Sequence, residues 1–189
     1  MLALVGCGRQ AVEQLRATIL FRTITEVRVW SLSAAESVAW VEVNAAEFSG
    51  IRFKVCDSVQ NAVKQADIIT TVTPSRTPLV MAEWVSPGTH INAIGADAPG
   101  KQELDSGLIL NNSVFIDHWD QASHSGEINV AVSGGKFTQA MVKAELGQVI
   151  LNGRSPRQSP TEITIFDSTG LAIQDIVVAK KIFEKLESR

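Results

Sequence analysis

The chain has 189 residues, 45% of them hydrophobic and 20% charged, a balance that excludes a disordered or collagen-like chain. Its net charge of −3 argues against nucleic acid as a partner, because binding to phosphate backbones needs a basic surface. No apolar run approaches the ~20 residues that span a bilayer and no secretory signal is expected, so Cys7 and Cys56 predict a reducing, cytoplasmic location rather than a disulfide framework.

Predicted strands and helices alternate along most of the chain. Alternating or continuous apolar runs predict strands over 2–5, 26–30, 51–55, 67–72, 89–94, 114–117 and 162–166. Helical spacing predicts helices over 9–20, 33–48, 104–110 and within 138–150, a turn at 81–84, and a helix reaching Ala66 that begins at Asp57 or Ser58. The stretch 155–160 is predicted to be a loop, and Ser168 or Thr169 is expected to cap a final helix.

Such alternation of strands and helices is typical of a parallel sheet with helices on both faces. Six strands precede the Gly- and Ser-rich stretch over 118–160. We therefore predict an α/β fold with a doubly wound, mostly parallel, Rossmann-type sheet.

The sharpest local pattern is GCGRQA over 6–11, which follows the first strand and opens the first helix. In the G-x-G-x-x-A pattern, Gly6 permits a tight turn, Gly8 lets a pyrophosphate approach the backbone, and Ala11 lets the helix pack closely on the strand. The helix N-terminus then offers N–H groups to the phosphates. This context predicts a dinucleotide site, although a glycine turn that only connects strand and helix has the same spacing.

The end of the second strand bears on the choice of cofactor. An acidic residue there holds the ribose of NAD, whereas a nearby Arg accommodates the 2′-phosphate of NADP. The chain has neither, and Ser31 and Ser33 are able to bond to either group. Because no acidic residue at the end of this strand would repel a 2′-phosphate, the sequence slightly favours NADP(H) over NAD(H) as the NAD(P)(H) cofactor.

Three loops follow predicted parallel strands and are expected to meet beside the nicotinamide. They contain Thr73, then Asp97 and Lys101, then Ser168 and Thr169. Asp97 is the candidate for proton transfer if it lies in a dry crevice, but an Asp before Ala-Pro-Gly is equally typical of a turn. Lys101 is expected at the cofactor, at an acidic partner or simply on the surface. The chain contains no tyrosine, which excludes a mechanism with a Tyr acid.

A possible metal cluster, His118, Asp120 and His124, lacks a recognised zinc spacing and has no nearby cysteine. No metal site is predicted.

Four motifs together resemble the ornithine cyclodeaminase/mu-crystallin family: GCGRQA over 6–11, NAIGADAPGKQEL over 92–104, ELG over 145–147 and FDSTGLAIQD over 166–175. The resemblance covers nearly the whole chain and implies a nicotinamide cofactor, an amino or imino acid substrate and a homodimer. It places Arg9 and Gln10 at the pyrophosphate and Ser31 at the adenosine ribose. It also places Asp97 at the catalytic aspartate, Thr169 at the substrate, and the following residues on the nicotinamide half: Thr73, Asn92, Ala93, Ile94, Ser168 and, nearby, Lys101.

The resemblance implies hydride transfer to or from the α-carbon of an amino acid or cyclic imino acid, as in ketimine or pyrroline-2-carboxylate reductases. Ornithine cyclodeaminase activity is the alternative. Relatives carry a further N-terminal domain that supplies the dimer surface and the substrate clamp. The chain is therefore expected to be a truncated form, with residues 1–160 as the dinucleotide-binding domain and 161–189 returning to the missing domain. A non-catalytic, cofactor-binding remnant is the second alternative.

Overall fold

The computed structural model describes residues 1–153 and 157–187. Their strands form one sheet, and all the strands run parallel. The strands are β1 (Leu2–Val5), β2 (Glu26–Trp30), β3 (Arg52–Val55), β4 (Ile68–Thr71), β5 (His90–Ala93), β6 (Ser113–Ile116), β7 (Ala144–Glu145) and β8 (Thr164–Asp167). The helices are α1 (Arg9–Phe21), α2 (Ala34–Asn44), α3 (Val59–Val63), α4 (Ser106–Asn111), α5 (Trp119–Ser125), α6 (Asn129–Ser133), α7 (Leu146–Asn152) and α8 (Ala172–Glu187).

The strand order is β3-β2-β1-β4-β5-β8-β6-β7. The first five strands follow the doubly wound order that sequence alternation predicts, with the direction of winding reversing between β1 and β4. The last strand, β8, inserts between β5 and β6, which brings the 166–175 motif beside the 92–104 motif.

Two apolar cores cover the two faces of the sheet, because successive residues of a strand point to opposite sides. From β1, Leu2 and Leu4 join the core that contains Leu15 of α1. Ala3 and Val5 join the other core, to which α4 and α5 contribute Leu108, Ile109 and Ala122. The predicted fold class is thereby confirmed.

Several element ends differ from the prediction for local reasons. The helix expected to reach Ala66 ends at Val63, and Gln65 then adopts a positive φ of 60°. The helix expected from residue 104 begins at Ser106, because the Asp105 side chain accepts from the Gly107 N–H and caps it. The first turn of α2 is capped in the same way by Ser33.

The stretch over 118–160 contains more structure than the sequence indicated. Helices α5 and α6 and the two-residue strand β7 were missed, since each is too short for a periodic pattern to reveal. Within 138–150 the expected helical pieces are a 3₁₀ turn (Gln139–Met141) and most of α7. Of the loop predicted over 155–160, residues 155 and 156 lie outside the described residues, and 157–160 form neither helix nor strand.

Helix α8 has no buried residue. Its apolar side chains are all exposed on the described chain, namely Ile173, Ile176, Val177, Val178, Ile182, Phe183 and Leu186. This 16-residue helix therefore leaves a large apolar surface exposed on the described chain.

Candidate cofactor site

A cleft of about 860 Å³ opens at the carboxyl end of the sheet, where the winding reverses between β1 and β4. Ligands of open α/β sheets bind at this point. The cleft is lined by the glycine turn, by the end of β2 with the α2 face, and by the loop after β4: Gly6, Cys7, Gly8, Trp30, Ser31, Leu32, Glu36, Ala39, Trp40, Val43, Asn44, Val72, Thr73, Pro74, Ser75, Thr77 and Leu79.

The glycine turn has the geometry that its sequence predicts. Gly6 has a φ of +108°, and a Cβ there would lie 2.9 Å from the Val72 carbonyl oxygen, so a side chain is excluded. Gly8 is the N-cap of α1, and no side chain caps this helix. An added Cβ at Gly8 would meet nothing within 4 Å, so the first turn of α1 faces open space. Ala11 is fully buried, as close helix packing requires. Such an uncapped N-terminus is suited to phosphate.

Two of the predicted residues, Arg9 and Gln10, lie exposed at the start of α1 and do not line the cleft. Of the two serines predicted after β2, Ser31 lines the cleft. Its hydroxyl donates to the Ser33 carbonyl oxygen at 2.8 Å, which holds the turn between β2 and α2. Ser33 is used as the cap of α2 and does not line the cleft.

An acidic side chain that the sequence analysis missed, Glu36, also lines the cleft. It lies in the first turn of α2, three residues after the cap Ser33. The Ser-x-x-Glu pattern of a capping box was the available signal for this position. Among the described residues that line the cleft there is no Lys or Arg, so Glu36 is its charged group.

The predicted nicotinamide-side residues fall into two groups. Thr73 lines the cleft directly beside Gly6. Asn92, Ala93 and Ile94 lie in β5 or immediately after it, outside the lining. The Asn92 side chain is oriented along the sheet, since its Oδ1 lies 3.1 Å from His90 Nε2. Burial lowers the pKa of this histidine, which favours the neutral ring.

Asp97 and Lys101 contact each other, with Lys101 Nζ donating to Asp97 Oδ1. The Asp97 side chain is 65% exposed, and that of Lys101 is 18% exposed. The dry crevice expected around Asp97 is therefore not formed by residues 1–153 and 157–187. The acidic partner expected for Lys101 is Asp97.

Ser168 and Thr169 do not cap α8, contrary to the prediction. The Asp117 carboxylate, buried at the end of β6, accepts from the Thr169 N–H at 2.7 Å and from the Gly170 N–H at 2.8 Å. The Thr169 hydroxyl lies 3.1 Å from the same carboxylate, and the Ser168 hydroxyl lies 3.5 Å from it. Asp117 thus holds the turn that follows β8, and α8 begins only at Ala172.

Three further buried carboxylates lie behind the cleft: Glu103, Glu127 and Asp167. Burial raises the pKa of all three, that of Glu127 well above its ordinary value and that of Asp167 to about 7. Each accepts from backbone N–H groups of a neighbouring segment. Glu103 and Glu127 were not predicted, since isolated glutamates between elements are normally solvated.

The described part of the chain brings no three His, Cys, Asp or Glu side chains into a group that would hold a metal ion. His118 precedes α5 and His124 lies in its last turn. Within the same ranges, no helix combines the length and apolar character needed to cross a bilayer.

Residues 1–189 match the ornithine cyclodeaminase/mu-crystallin family along their entire length. The chain belongs to this family. The family resemblance of the four sequence motifs is thus confirmed. An alanine dehydrogenase of Archaeoglobus fulgidus is 46% identical over 185 residues, which cover 98% of this chain and 56% of that protein.

Solved structures of relatives confirm the fold. An archaeal alanine dehydrogenase dimer with bound NAD superimposes with a TM-score of 0.93 at 45% identity, covering 99% of this chain and 57% of that one. The Thermococcus litoralis pyrroline-2-carboxylate reductase, solved with NADH and L-proline, has a TM-score of 0.93 at 29% identity, covering 99% and 58%. The chain spans a little over half the length of these relatives.

Proposed function

We propose that this chain forms the dinucleotide-binding part of an NAD(P)-dependent oxidoreductase that transfers a hydride to or from the α-carbon of an amino or imino acid. The observation that carries the proposal is the uncapped N-terminus of α1, which opens through Gly6 and Gly8 onto a cleft of about 860 Å³ at the switch point of the sheet. The relatives named above, solved with NAD or with NADH and L-proline, support it.

The residues of the cleft fit a dinucleotide. The turn that contains Gly6 and Gly8 would hold the pyrophosphate, with Arg9, Gln10 and Ala11 at the head of α1, and Ser31 would face the adenosine ribose, with Ser33 behind it. Thr73 would begin the nicotinamide side, which would continue through Asn92, Ala93, Ile94, Lys101 and Ser168. The cofactor supplies the hydride chemistry when bound, and the protein supplies orientation.

Asp97 is proposed to hold the proton that accompanies hydride transfer, with Lys101 orienting its carboxylate. Thr169 is proposed to contact the substrate. The exposure of Asp97 implies that another part of a longer protein covers it during turnover, since water must be excluded from hydride transfer.

A preference for NAD(H) over NADP(H) follows from the charge of the cleft. The sequence slightly favoured NADP(H), because no acidic residue stands at the end of β2. In the structure, however, Glu36 lines the cleft from α2, and none of the described residues that line the cleft is a Lys or Arg. We expect NADH to bind about tenfold or more tightly than NADPH, because a like charge near a 2′-phosphate costs over 1 kcal/mol. Glu36→Gln should bring the two dissociation constants closer together.

Trp30 and Trp40 line the cleft and should provide the signal for this experiment, since a reduced nicotinamide cofactor bound there would quench their emission. Glu13→Gln in α1, which removes an exposed acid outside the cleft, is the matched control and should leave the ratio unchanged. Tighter binding of NADPH by the wild-type chain would contradict the preference. Absence of any quenching by either cofactor would contradict the proposed function itself.

The reductase or dehydrogenase reaction is favoured over the cyclodeaminase alternative by the alanine dehydrogenase and pyrroline-2-carboxylate reductase relatives. With pyrroline-2-carboxylate or pyruvate and ammonia, we expect NADH consumption by a longer protein that contains residues 1–189, and Asp97→Asn should abolish it. NADH affinity should stay within about twofold because the side chain lies outside the cleft. Glu83→Gln, in the 3₁₀ turn before β5, is the control. Unchanged turnover in Asp97→Asn would contradict the proton-holding role of Asp97. Formation of proline from ornithine would favour the cyclodeaminase alternative. NADH binding without turnover would favour the alternative of a non-catalytic, cofactor-binding remnant.

Residues 161–189, which contain β8 and α8, are proposed to return to a substrate or dimerisation domain of a longer protein through the exposed apolar face of α8. On its own, the 189-residue chain is expected to self-associate, and Ile176→Asp with Phe183→Asp should shift it towards a monomer in sedimentation experiments. A monodisperse wild-type monomer would contradict this role of α8.

By analogy with the dimeric relative we propose a homodimer, and the free Cys7 and Cys56 fit a cytoplasmic location.

A further inference from the structure

The Glu103 carboxylate joins the ends of two neighbouring strands. Its Oε1 accepts from the Thr73 N–H at 2.6 Å and from the Thr73 hydroxyl at 2.7 Å, just after β4. Its Oε2 accepts from the Thr71 hydroxyl at 2.6 Å and from the Gly95 N–H at 2.9 Å, just after β5. Both strand ends therefore depend on one fully buried side chain.

The pattern of donors requires a carboxylate at this position. Each oxygen faces one backbone N–H, which cannot reverse its role, and one hydroxyl, which can. A glutamine side chain has only one oxygen, so its amide nitrogen would face either the Thr73 N–H or the Gly95 N–H in both orientations. A buried donor facing a donor leaves both unsatisfied, which costs about 1–3 kcal/mol.

Glu103 is itself held from behind. The Glu127 carboxylate accepts from the Glu103 N–H at 2.9 Å and from the Leu104 N–H at 2.7 Å. The backbone of Glu127 in turn donates to Asp167 at the end of β8. The three carboxylates form a series that runs from β8 to the cofactor cleft and leaves Glu103 little freedom to shift.

One of the two segments that Glu103 joins lines the cleft beyond the switch point, and the other leads to Asp97. Thr73 lines the cleft beside the glycine turn, and Gly95 lies two residues before Asp97. A Cβ on Gly95 would lie 2.5 Å from Glu103 Oε2, so the turn and the carboxylate are in close contact. Because the adenosine half of a dinucleotide lies on the β2 side of the switch point, the other half lies over these segments.

We propose that Glu103 is a positioning residue that holds the ends of β4 and β5 for the nicotinamide half of the cofactor. This inference rests on the proposed function. Glu103 does not line the cleft, so it acts through Thr73 and the turn that begins at Gly95. Its removal should therefore affect the nicotinamide half and spare the adenosine half.

The test compares the dissociation constants of NADH and ADP, measured by calorimetry, for the wild-type chain and Glu103→Gln. ADP carries the adenosine half and the pyrophosphate without the nicotinamide half. We expect Glu103→Gln to weaken NADH by about tenfold, the equivalent of one lost buried hydrogen bond, and ADP by less than about twofold. Equal weakening of both ligands, or no weakening of either, would overturn the positioning role.

Two further variants keep the test decisive. Glu26→Gln makes the same substitution in another buried glutamate, at the opposite end of the sheet, where Arg28 and Arg52 are its partners, and should change neither affinity. If Glu103→Gln does not fold, Thr71→Val removes one hydroxyl donor and keeps both backbone bonds. It should weaken NADH selectively by about threefold, and unchanged NADH affinity in this folded variant would overturn the proposal. A wild-type chain that binds ADP but not NADH would also overturn it, whereas binding of neither would overturn the proposed function.

Discussion

Gly8→Asp is expected to fold at least as stably as the wild-type chain and to lose dinucleotide binding. Gly8 has the extended backbone of an N-cap, with φ −77° and ψ −170°, and room for a side chain. An Asp there would accept from N–H groups of the first turn of α1, a favourable cap with a favourable dipole interaction. The same carboxylate would occupy the donors proposed for the pyrophosphate and place a like charge about 5 Å from it. At an effective dielectric constant of about 20 this costs roughly 3 kcal/mol, more than hundredfold in affinity.

Thermal unfolding and NADH titration of the same preparation separate these two effects. Gly8→Ser is the matched control: it caps the helix without a charge and should retain more binding than Gly8→Asp at equal stability. Gly8→Asp that still binds NADH with wild-type affinity would show that the phosphates do not approach α1. Gly6→Ala is unsuitable for this comparison, since its positive φ and its contact with Val72 would destabilise the fold as well.

The stability of the folded chain is expected to fall as the pH rises from about 4 to 7. Asp167 is fully buried, and its pKa is raised from 3.8 to about 7. Between these values the folded chain keeps a proton that the unfolded chain has lost, so stability is greatest at low pH and declines as the pH passes through the window. Asp167 alone contributes a decline of about 3 kcal/mol between pH 5 and pH 8. Glu103 and Glu127 act in the same direction, because burial raises their pKa values too.

Urea unfolding at a series of pH values measures this slope. Asp167→Asn should be less stable at pH 5, because its amide nitrogen would face the Glu127 or the Ile128 N–H, and should show a flatter decline. Asp57→Asn is the control: its hydrogen bond from Asn61 lowers the pKa of Asp57, so both states are ionised above pH 5 and the slope should not change. An Asp167→Asn variant with the wild-type slope would assign the pH dependence to another group.

The predicted elements of the first half agree closely with the structure. Helix α1 and strand β2 were predicted to within one residue, because apolar periodicity and the glycine turn are local properties of the chain. The glycine turn also led directly to the cleft. Glu36 was not predicted although its Ser-x-x-Glu pattern is local, because an acid that binds the ribose is normally expected at the end of the second strand.

Glu103, Glu127 and Asp117 were not predictable in their roles. Each is a single carboxylate in a loop or at a strand end, and each accepts from at least one backbone N–H group 24 or more residues away. Such contacts depend on the order of the strands, above all on the insertion of β8 between β5 and β6. The exposure of Asp97 was likewise not evident from its motif.

Short-range patterns in this chain were enough to specify its class of fold, its glycine turn and its family, since a turn, a helix start and a strand depend on residues within a few positions of one another. Which carboxylates are buried, and what they hold, followed from the folding of the sheet. Parallel strands meet side by side regardless of their distance along the chain, and a buried carboxylate persists only where that meeting supplies donors to replace water.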